Sequence, residues 1–186
     1  MNLEIYNNKG FNHGKSILYR ALWMLVSSLF IDTNFTVPLR LKVMLLRLFG
    51  AKIGKGFVIK SRVTIKQPWR LEVGDFVWIG ENVWIDNLVK VVIANHVCIS
   101  QGAMLLTGNH NYKLTSFDLI TGEICLHDGV WIGAKAIVCP GVTCSISSVL
   151  TVGSVALSDL CPFGIYQGNP CSFKRKRAIA HDDLIP

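Results

Sequence analysis

Between Leu71 and Ala156 an aliphatic residue returns at every sixth position, and a small or β-branched residue stands four places after it. Ile79–Trp84 and Ile99–Met104 are two of these hexads, and Gly, Asn and Asp gather at the intervening positions. A period of six fits neither a 3.6-residue helix nor the alternation of one long strand. It fits short strands separated by sharp corners, where such residues supply backbone freedom and local hydrogen bonds. The repeat therefore predicts a parallel β-helix, in which three hexads close one triangular coil and coils stack at roughly 4.8 Å around an aliphatic core.

The rest of the chain is organised around this repeat. Ser16 is expected to cap a helix that runs to Ile31, and a second helix is predicted from Pro38 to Gly50. The hexads stop at Thr107, where a polar loop intrudes, and long loops in compact repeats are commonly functional or disordered. We expect one structural domain with an N-terminal arm and two helices in residues 1–50, a β-helix in residues 51–160 with an inserted loop at 107–123, and a C-terminal tail in residues 161–186 that includes a short helical segment at Lys174–Arg177.

The net charge of +7 is concentrated in the first third of the chain. Residues 1–70 hold twelve Lys and Arg against Glu4 and Asp32, whereas residues 71–186 hold seven against ten acidic residues. This asymmetry suggests an anionic surface or ligand, and a solvated basic face without a partner is the alternative. We expect the two apolar helices to pack on the β-helix or on a neighbouring subunit, and peripheral contact with an anionic membrane is the functional alternative. No motif beyond charge points to nucleic acid.

The cellular compartment of the protein is predicted from sequence signals that are absent. No stretch reaches the roughly 18 apolar residues that a bilayer span needs. The apolar run that starts at Ile17 is not followed by the small-residue cleavage site of a signal peptide. The six cysteines form no C-x-x-C pair, which is typical of thiols in a reducing compartment. We therefore expect a cytoplasmic protein, placed at the inner face of the cytoplasmic membrane if the helices bind lipid.

Several local segments resemble one enzyme family, the hexapeptide-repeat acyltransferases. Within it the chain is most similar to the colanic-acid-type exopolysaccharide O-acetyltransferases, cousins of the galactoside and maltose acetyltransferases. The resemblance implies a left-handed β-helix, a homotrimer, acetyl-coenzyme A as co-substrate, and a sugar or lipid-linked saccharide as acceptor. It is carried by Leu45–Lys55, Thr107–His110, Val130–Gly133, Pro140–Thr143 and Gly168–Pro170.

Acetyl transfer from a thioester to a hydroxyl needs a base for the hydroxyl proton and a donor for the developing oxyanion. Histidine is the usual base, because its neutral form is abundant near pH 7. His110 is the candidate, and the resemblance implies that its imidazole lies between two subunits of a trimer. Relatives orient this histidine with an asparagine one coil earlier. Trp84 stands at that place in an ungapped alignment, so Asp86 or Asn87 is expected to serve.

The resemblance also implies where coenzyme A binds. Ala134, Val152 and the Leu157–Ser158 pair are expected to contact it, mainly through backbone groups in a groove between coils. Arg175, with Lys174, is expected to meet the nucleotide phosphates, a role that suits a fixed cation. Relatives carry a Thr-Lys pair at Leu157–Ser158 and a second arginine at Ser172.

Two other classes of protein use this fold. A carbonic anhydrase of the γ class would need three convergent imidazoles on zinc, and only His96, His110 and His127 lie in the coil region. His96 and His127 occupy outward corner positions, so we expect no metal. A non-catalytic β-helix scaffold is the second rival. We predict a sugar O-acetyltransferase of exopolysaccharide assembly, with direct attack by the hydroxyl assisted by His110. Another small acceptor, such as a free sugar, a serine-like hydroxyl or an amine, is the alternative.

Overall fold

A three-sided parallel β-helix makes up most of the molecule. The computed structural model describes residues 1–8 and 10–179. The chain visits three sheets, which we call A, B and C, in the same order in five successive coils, and a bridge from Leu160 to Cys144 begins a partial sixth coil. Sheet A contains β1 (Lys52–Ile53), β4 (Leu71–Val73), β7 (Val91–Ile93), β12 (Ile124–Leu126) and β15 (Thr143–Cys144). Sheet B contains β2 (Val58–Ile59), β5 (Trp78–Ile79), β8 (Cys98–Ile99), β13 (Trp131–Ile132) and β16 (Val149–Leu150), and sheet C contains β3 (Thr64–Ile65), β6 (Trp84–Asp86), β9 (Met104–Leu106), β14 (Ile137–Val138) and β17 (Val155–Ala156).

The core follows the predicted phase of the hexads. Every strand of the five coils except β15 directs an aliphatic residue inward. Inward residues of successive coils are paired in register, as Ile59 is with Ile79. Cys144 takes an inward position in sheet A and is fully buried, and burial raises the pKa of its thiol. The inward residues of sheet B are at most 5% exposed: Ile59, Ile79, Ile99, Ile132 and Leu150.

The edges of the prism are the turns between sheets, and we name them AB, BC and CA. At the AB edge, short polar side chains bind the backbone of the preceding coil. The Oδ1 atoms of Asp75, Asn95 and Asp128 accept hydrogen bonds from the N–H groups of Lys55, Asp75 and Asn95, each at 2.8 Å. These Asx residues therefore connect successive coils in addition to shaping the corners.

Two helices cover the first coil. They are α1 (Ile17–Phe30), whose N–H of Tyr19 binds the hydroxyl of the N-cap Ser16, and α2 (Leu39–Leu48), which Pro38 precedes. Both lie within two residues of their predicted limits. A three-residue 3-10 helix at Leu3–Ile5 precedes them in the arm.

The helices also complete the hydrogen bonding of the first coil. Carbonyls of inward residues accept from N–H groups of the preceding coil, as Val73 does from Gly54. The inward carbonyls of the first coil have no preceding coil to supply such donors. Side chains take over this role. Trp23 Nε1 donates to the carbonyl of Ile65 and an Arg47 guanidinium nitrogen to that of Ile53, both at 2.8 Å. The helices thus pack on the β-helix, where unsatisfied carbonyl groups would otherwise be buried.

The interruption of the hexads is partly ordered. Residues 108–121 leave the CA edge as an antiparallel hairpin of β10 (Gly108–His110) and β11 (Leu119–Thr121), with His110 opposite Leu119. The segment predicted as a polar loop therefore places its histidine on a strand.

The predicted helical segment at the C-terminus is wrong. Residues 164–176 form a second antiparallel hairpin, β18 (Gly164–Gly168) and β19 (Cys171–Lys176), and β18 pairs with β16. The last coil leaves sheet B with unpaired N–H and C=O groups, and an added hairpin satisfies them whatever the local composition of the basic run. Residues 180–186 of the predicted tail lie outside the described residues.

The three outer faces of the prism differ in character. On sheet A, Lys52 and Lys90 form ion pairs with Glu72 at 2.9 and 3.1 Å. The outward positions are largely apolar on sheet B (Val58, Trp78, Cys98, Trp131, Val149 and Ile165) and on sheet C (Thr64, Trp84, Met104, Ile137 and Val155). Among the described residues, no helix has both the length and the apolar character that crossing a bilayer requires.

Candidate active site

His110 ends β10 and is half-buried. Its Nδ1 atom lies 2.9 Å from the carbonyl oxygen of Phe117, in the turn of the same hairpin. A carbonyl oxygen only accepts, so Nδ1 carries the proton and Nε2 of the neutral ring is left as the acceptor. This is the tautomer that a general base requires. Sequence reasoning missed Phe117, because a backbone acceptor leaves no signal in the side chains.

Aromatic rings hold the imidazole on two sides. The ring of Phe117 is stacked parallel to it, with 4.4 Å between centroids, and the ring of Tyr6 meets it edge-on at 5.5 Å. Phe117 has a φ of +53°, a left-handed conformation that directs its carbonyl into the hairpin and is uncommon for a large side chain. Tyr6 comes from the N-terminal arm, which therefore reaches the hairpin across the CA edge.

Asp86 and Asn87 lie at the CA edge, one coil before the hairpin, and both are engaged by other groups. Asn87 is fully buried and pairs with the backbone of Gln67, accepting from its N–H at 2.9 Å and donating to its carbonyl at 2.5 Å. Asp86 forms an ion pair with Lys66 at 2.8 Å, and its carbonyl accepts from the Thr107 hydroxyl at 2.7 Å. Within the described chain, the His110 ring therefore donates to the Phe117 carbonyl, and no hydrogen bond joins the ring to Asp86 or Asn87.

His110 lines a cleft of about 340 Å³ between the hairpin, the arm, α1 and the CA edge. Three basic side chains line it as well: His13 from the arm, Arg20 from α1 and Lys66 from the first coil. Burial lowers the pKa of His13, and the positive charges of Arg20, Arg70 and Lys66 lower it further. The excess of positive charge in residues 1–70 was the available sequence signal for these residues, but it did not identify them singly.

Ala134 and Val152 meet at a different place. They lie in successive coils at the BC edge and line a cavity of about 450 Å³ with Trp131 and Ser100. The indole Nε1 of Trp131 donates to the Ser100 hydroxyl at 2.9 Å, which fixes the ring on the outer face of sheet B. Two of the predicted coenzyme A contacts are therefore brought together in a groove between coils.

The other predicted contacts are distributed over the molecule. Leu157 and Ser158 follow β17 at the CA edge, on the same edge as the His110 hairpin, and both are exposed. Lys174 and Arg175 lie on β19, the outermost strand of sheet B, and are also exposed. Within one chain, sheet C separates the CA edge from the cavity at the BC edge.

The three histidines of the coil region do not converge. His96 and His127 lie at the AB edge, where His96 stacks on Phe76 with 5.2 Å between centroids, whereas His110 lies on the hairpin. Over residues 1–8 and 10–179, no three His, Cys, Asp or Glu side chains form a group that could hold a metal ion.

No family model matches the chain. Over 169 residues it is 34% identical to the Escherichia coli K12 protein WcaF, an acetyltransferase assigned to colanic acid biosynthesis, and the match covers 91% of this chain and 92% of that protein.

Solved structures show the same architecture. A hexapeptide-repeat-containing acetyltransferase of Vibrio cholerae in complex with acetyl-coenzyme A gives a TM-score of 0.78 at 21% identity, over 87% of this chain and 88% of that one. A galactoside acetyltransferase in complex with coenzyme A gives a TM-score of 0.77 at 21% identity, over 86% and 80%. The predicted left-handed parallel β-helix is thereby confirmed. Because its core repeats with a period of six and a relative matches it along nearly its whole length, the chain belongs to the hexapeptide-repeat acetyltransferases and is an acyltransferase.

Proposed function

We propose that the protein transfers an acetyl group from acetyl-coenzyme A to a hydroxyl of a saccharide during exopolysaccharide assembly. The observation that carries the proposal is the hydrogen bond between His110 Nδ1 and the Phe117 carbonyl, which leaves Nε2 free as a base beside a cleft. The acyl donor is acetyl-coenzyme A, as in the complex of the Vibrio cholerae structural neighbour. The saccharide acceptor rests on the likeness to the colanic acid acetyltransferase.

The transfer is direct. Nε2 of His110 takes the proton of the acceptor hydroxyl while its oxygen attacks the thioester carbonyl carbon. The tetrahedral intermediate collapses by breaking the carbon–sulfur bond, and the imidazolium returns its proton to the leaving thiolate. The Phe117 carbonyl holds the ring and stabilises the imidazolium that forms during attack, because a carbonyl dipole binds a charged N–H more strongly than a neutral one.

Asp86 and Asn87 act on the site through other residues and not by contact with the imidazole. Asn87 fixes the backbone of Gln67, and Asp86 holds the ammonium group of Lys66 at the cleft. Both are therefore positioning residues, because they hold Gln67 and Lys66 on the side of the cleft that faces His110.

A homotrimer completes the site. The cavity with Ala134 and Val152 is at the BC edge and the His110 hairpin is at the CA edge, so one chain cannot bring the thioester to the imidazole. Packing sheet C of one subunit against sheet B of the next would cover two apolar faces and bring these edges together. Leu157 and Ser158 would then contact coenzyme A from the hairpin side, and Lys174 and Arg175 would meet its phosphates.

The N-terminal helix supplies peripheral contact with the inner face of the cytoplasmic membrane. Leu18, Leu22, Leu25 and Leu29 form a stripe along α1 and are 51–79% exposed, while Trp23 and Ser27 on the opposite side are buried. The first 70 residues carry the basic excess, which suits an anionic lipid surface. A lipid-linked saccharide acceptor would be presented at such a surface.

Calorimetric titration of acetyl-coenzyme A combined with an acetyl-transfer assay tests the activity. Wild type, His110→Ala and the exposed control His127→Ala should all bind the donor. Only His110→Ala should lose transfer, by about 10²–10⁴-fold, the usual contribution of a general base. Absence of donor binding would indicate the scaffold alternative, and acetylation of an amine or a free sugar alone would replace the proposed acceptor.

Vesicle co-sedimentation tests the membrane contact. Wild type should bind phosphatidylglycerol vesicles and not phosphatidylcholine vesicles, and the triple variant Leu18→Gln/Leu22→Gln/Leu25→Gln should stay in the supernatant. Leu114→Gln/Ile120→Gln/Ile146→Gln, which changes three exposed apolar residues elsewhere, is the matched control. A stripe variant that changes the mass of the oligomer while vesicle binding persists would assign the stripe to a subunit contact.

A further inference from the structure

The cleft beside His110 carries more positive charge than the described residues around it neutralise. Arg20 and Lys66 line it, and Arg70 is close enough to act on the charge of His13. Asp86, paired with Lys66, is the only acidic residue in an ion pair with any of these cations among residues 1–8 and 10–179. A neutral saccharide would not use this charge.

Arg20 is the least satisfied of these groups. Its Nε atom is buried and has no hydrogen-bond partner in the described structure. A buried donor of this kind costs free energy unless a ligand or an ordered water accepts from it. Arg70 differs, because its guanidinium donates to the backbone carbonyls of Leu88 and Asn12. Arg20 is therefore free to bind a ligand, whereas Arg70 is engaged by the backbone carbonyls of Leu88 and Asn12.

The apolar part of the cleft suits the rest of a saccharide acceptor. Phe11 and Trp69 line it, the Trp69 indole is fixed by donating to the His13 carbonyl at 3.1 Å, and Arg70 lies over the ring of Phe11. Rings that are held in place in this way provide a flat surface for a sugar, next to cations that would bind a charged substituent.

We propose that Arg20 and Lys66, with His13 in the same cleft, form a binding subsite for the phosphate or diphosphate group of a glycosyl phosphate acceptor. The inference rests on the proposed function, and it deepens it by assigning a chemical class to the acceptor. Guanidinium donors bind phosphate oxygens in a bidentate manner, which would satisfy the buried Nε. The diphosphate could belong to a nucleoside diphosphate sugar or to a lipid-linked saccharide, which share this chemistry.

Calorimetric titration with inorganic pyrophosphate tests the subsite without any acceptor. Wild type and Arg40→Gln, a control on α2 outside the cleft, should bind it equally. Arg20→Gln should bind about tenfold or more weakly, the loss expected for one charge-assisted hydrogen bond, and Arg20→Lys should fall between them. Circular dichroism melts of each variant establish that it is folded. Equal binding by Arg20→Gln and Arg40→Gln would overturn the proposal.

Prior saturation with acetyl-coenzyme A separates this proposal from the proposed function. Pyrophosphate should bind as tightly in the presence of the donor as without it. Displacement by coenzyme A would assign the cations to the donor phosphates, and donor binding without pyrophosphate binding would leave the acetyltransferase standing and remove the subsite. Binding of methyl glucuronide but not of pyrophosphate would assign the site to a carboxylate and overturn the phosphate proposal.

Turnover measurements identify the source of the phosphate. A nucleoside diphosphate sugar and a short-chain polyprenyl diphosphate saccharide are compared with the same sugar free of phosphate. At least one of the two should show a kcat/KM about tenfold above the free sugar, and Arg20→Gln should reduce that ratio towards one. Equal ratios in wild type and Arg20→Gln would contradict the subsite.

Discussion

The Nδ1 atom of His110 and the carbonyl oxygen of Phe117 lie 2.9 Å apart, and the two rings are stacked with 4.4 Å between their centroids. One residue therefore both orients the imidazole and covers its face. The acceptor is a backbone atom, so its position depends on the left-handed φ of Phe117 and not on the identity of a polar side chain.

Substitution at Phe117 separates the carbonyl from the ring. Phe117→Asn removes the stacking ring but tolerates a positive φ, whereas Phe117→Val disfavours that backbone. We expect kcat for acetyl transfer to fall about tenfold further in the valine variant, because roughly 1–2 kcal/mol of strain would displace the carbonyl. The KM for acetyl-coenzyme A should stay unchanged in both. Equal kcat values for the two variants would show that the ring, and not the carbonyl, is what matters.

Filling the cavity at the BC edge should weaken donor binding. Ala134→Leu places a branched side chain in the cavity of about 450 Å³ that Ala134 shares with Val152. We expect the Kd for acetyl-coenzyme A, measured by calorimetry, to rise about tenfold, which corresponds to about 1.4 kcal/mol. Ala94→Leu, at a half-buried alanine of the AB edge, is the control that should leave the Kd as it is. Unchanged binding by Ala134→Leu would move the donor site elsewhere.

The hydrogen bond from Trp23 to Ile65 should contribute to stability. Trp23→Phe keeps much of the buried ring but leaves the Ile65 carbonyl without its donor, which should lower the free energy of unfolding by about 1–3 kcal/mol. Tyr19→Phe is the control, because the Tyr19 ring contacts Phe49 and Trp69 and no hydrogen bond of its hydroxyl is among the described contacts. Urea unfolding is compared at one protein concentration, since oligomers are stabilised by mass action. A loss of equal size in both variants would argue against the bond.

The ion pairs of Glu72 should make stability depend on acid pH. Hydrogen bonds from Lys52 and then from Lys90 lower the pKa of this carboxyl in the folded protein. Its contribution is therefore complete above the unfolded pKa of about 4.5 and is lost as the pH falls through the lower folded value. Glu72→Gln should cost about 0.2–1 kcal/mol at pH 7, the range for exposed pairs.

The same comparison at a pH below the lowered folded pKa of Glu72 tests the sign, because protonation there removes the ion pairs from the wild type as well. The difference between wild type and Glu72→Gln in urea unfolding should therefore shrink towards zero. Glu123→Gln, at an exposed carboxyl outside the described ion pairs, should show little difference at either pH. A cost for Glu72→Gln that grows as the pH falls would contradict the assignment.

The period of six was sufficient to predict the β-helix and its core phase, because each hexad repeats the same local requirement for an inward aliphatic and a sharp corner. Ser16 and Pro38 likewise marked the starts of the two helices. His110 was found as the one histidine in the interruption of the repeat, and its role remains a proposal. These features depend on residues that are neighbours in the chain, so they can be recognised without knowledge of the three-dimensional structure.

Features made by distant parts of the chain were decided by the tertiary structure. The basic run at Lys174–Arg177 was expected to be helical, but pairing at the open end of sheet B made most of it a strand. The charge of the first 70 residues was evident in the sequence, whereas the convergence of Arg20 and Lys66 beside His110 required α1 and the first coil to pack together. Spacing along the chain thus determined the repeating scaffold, and contacts across it determined the surroundings of the imidazole, because hydrogen bonds and charges act through space and not along the sequence.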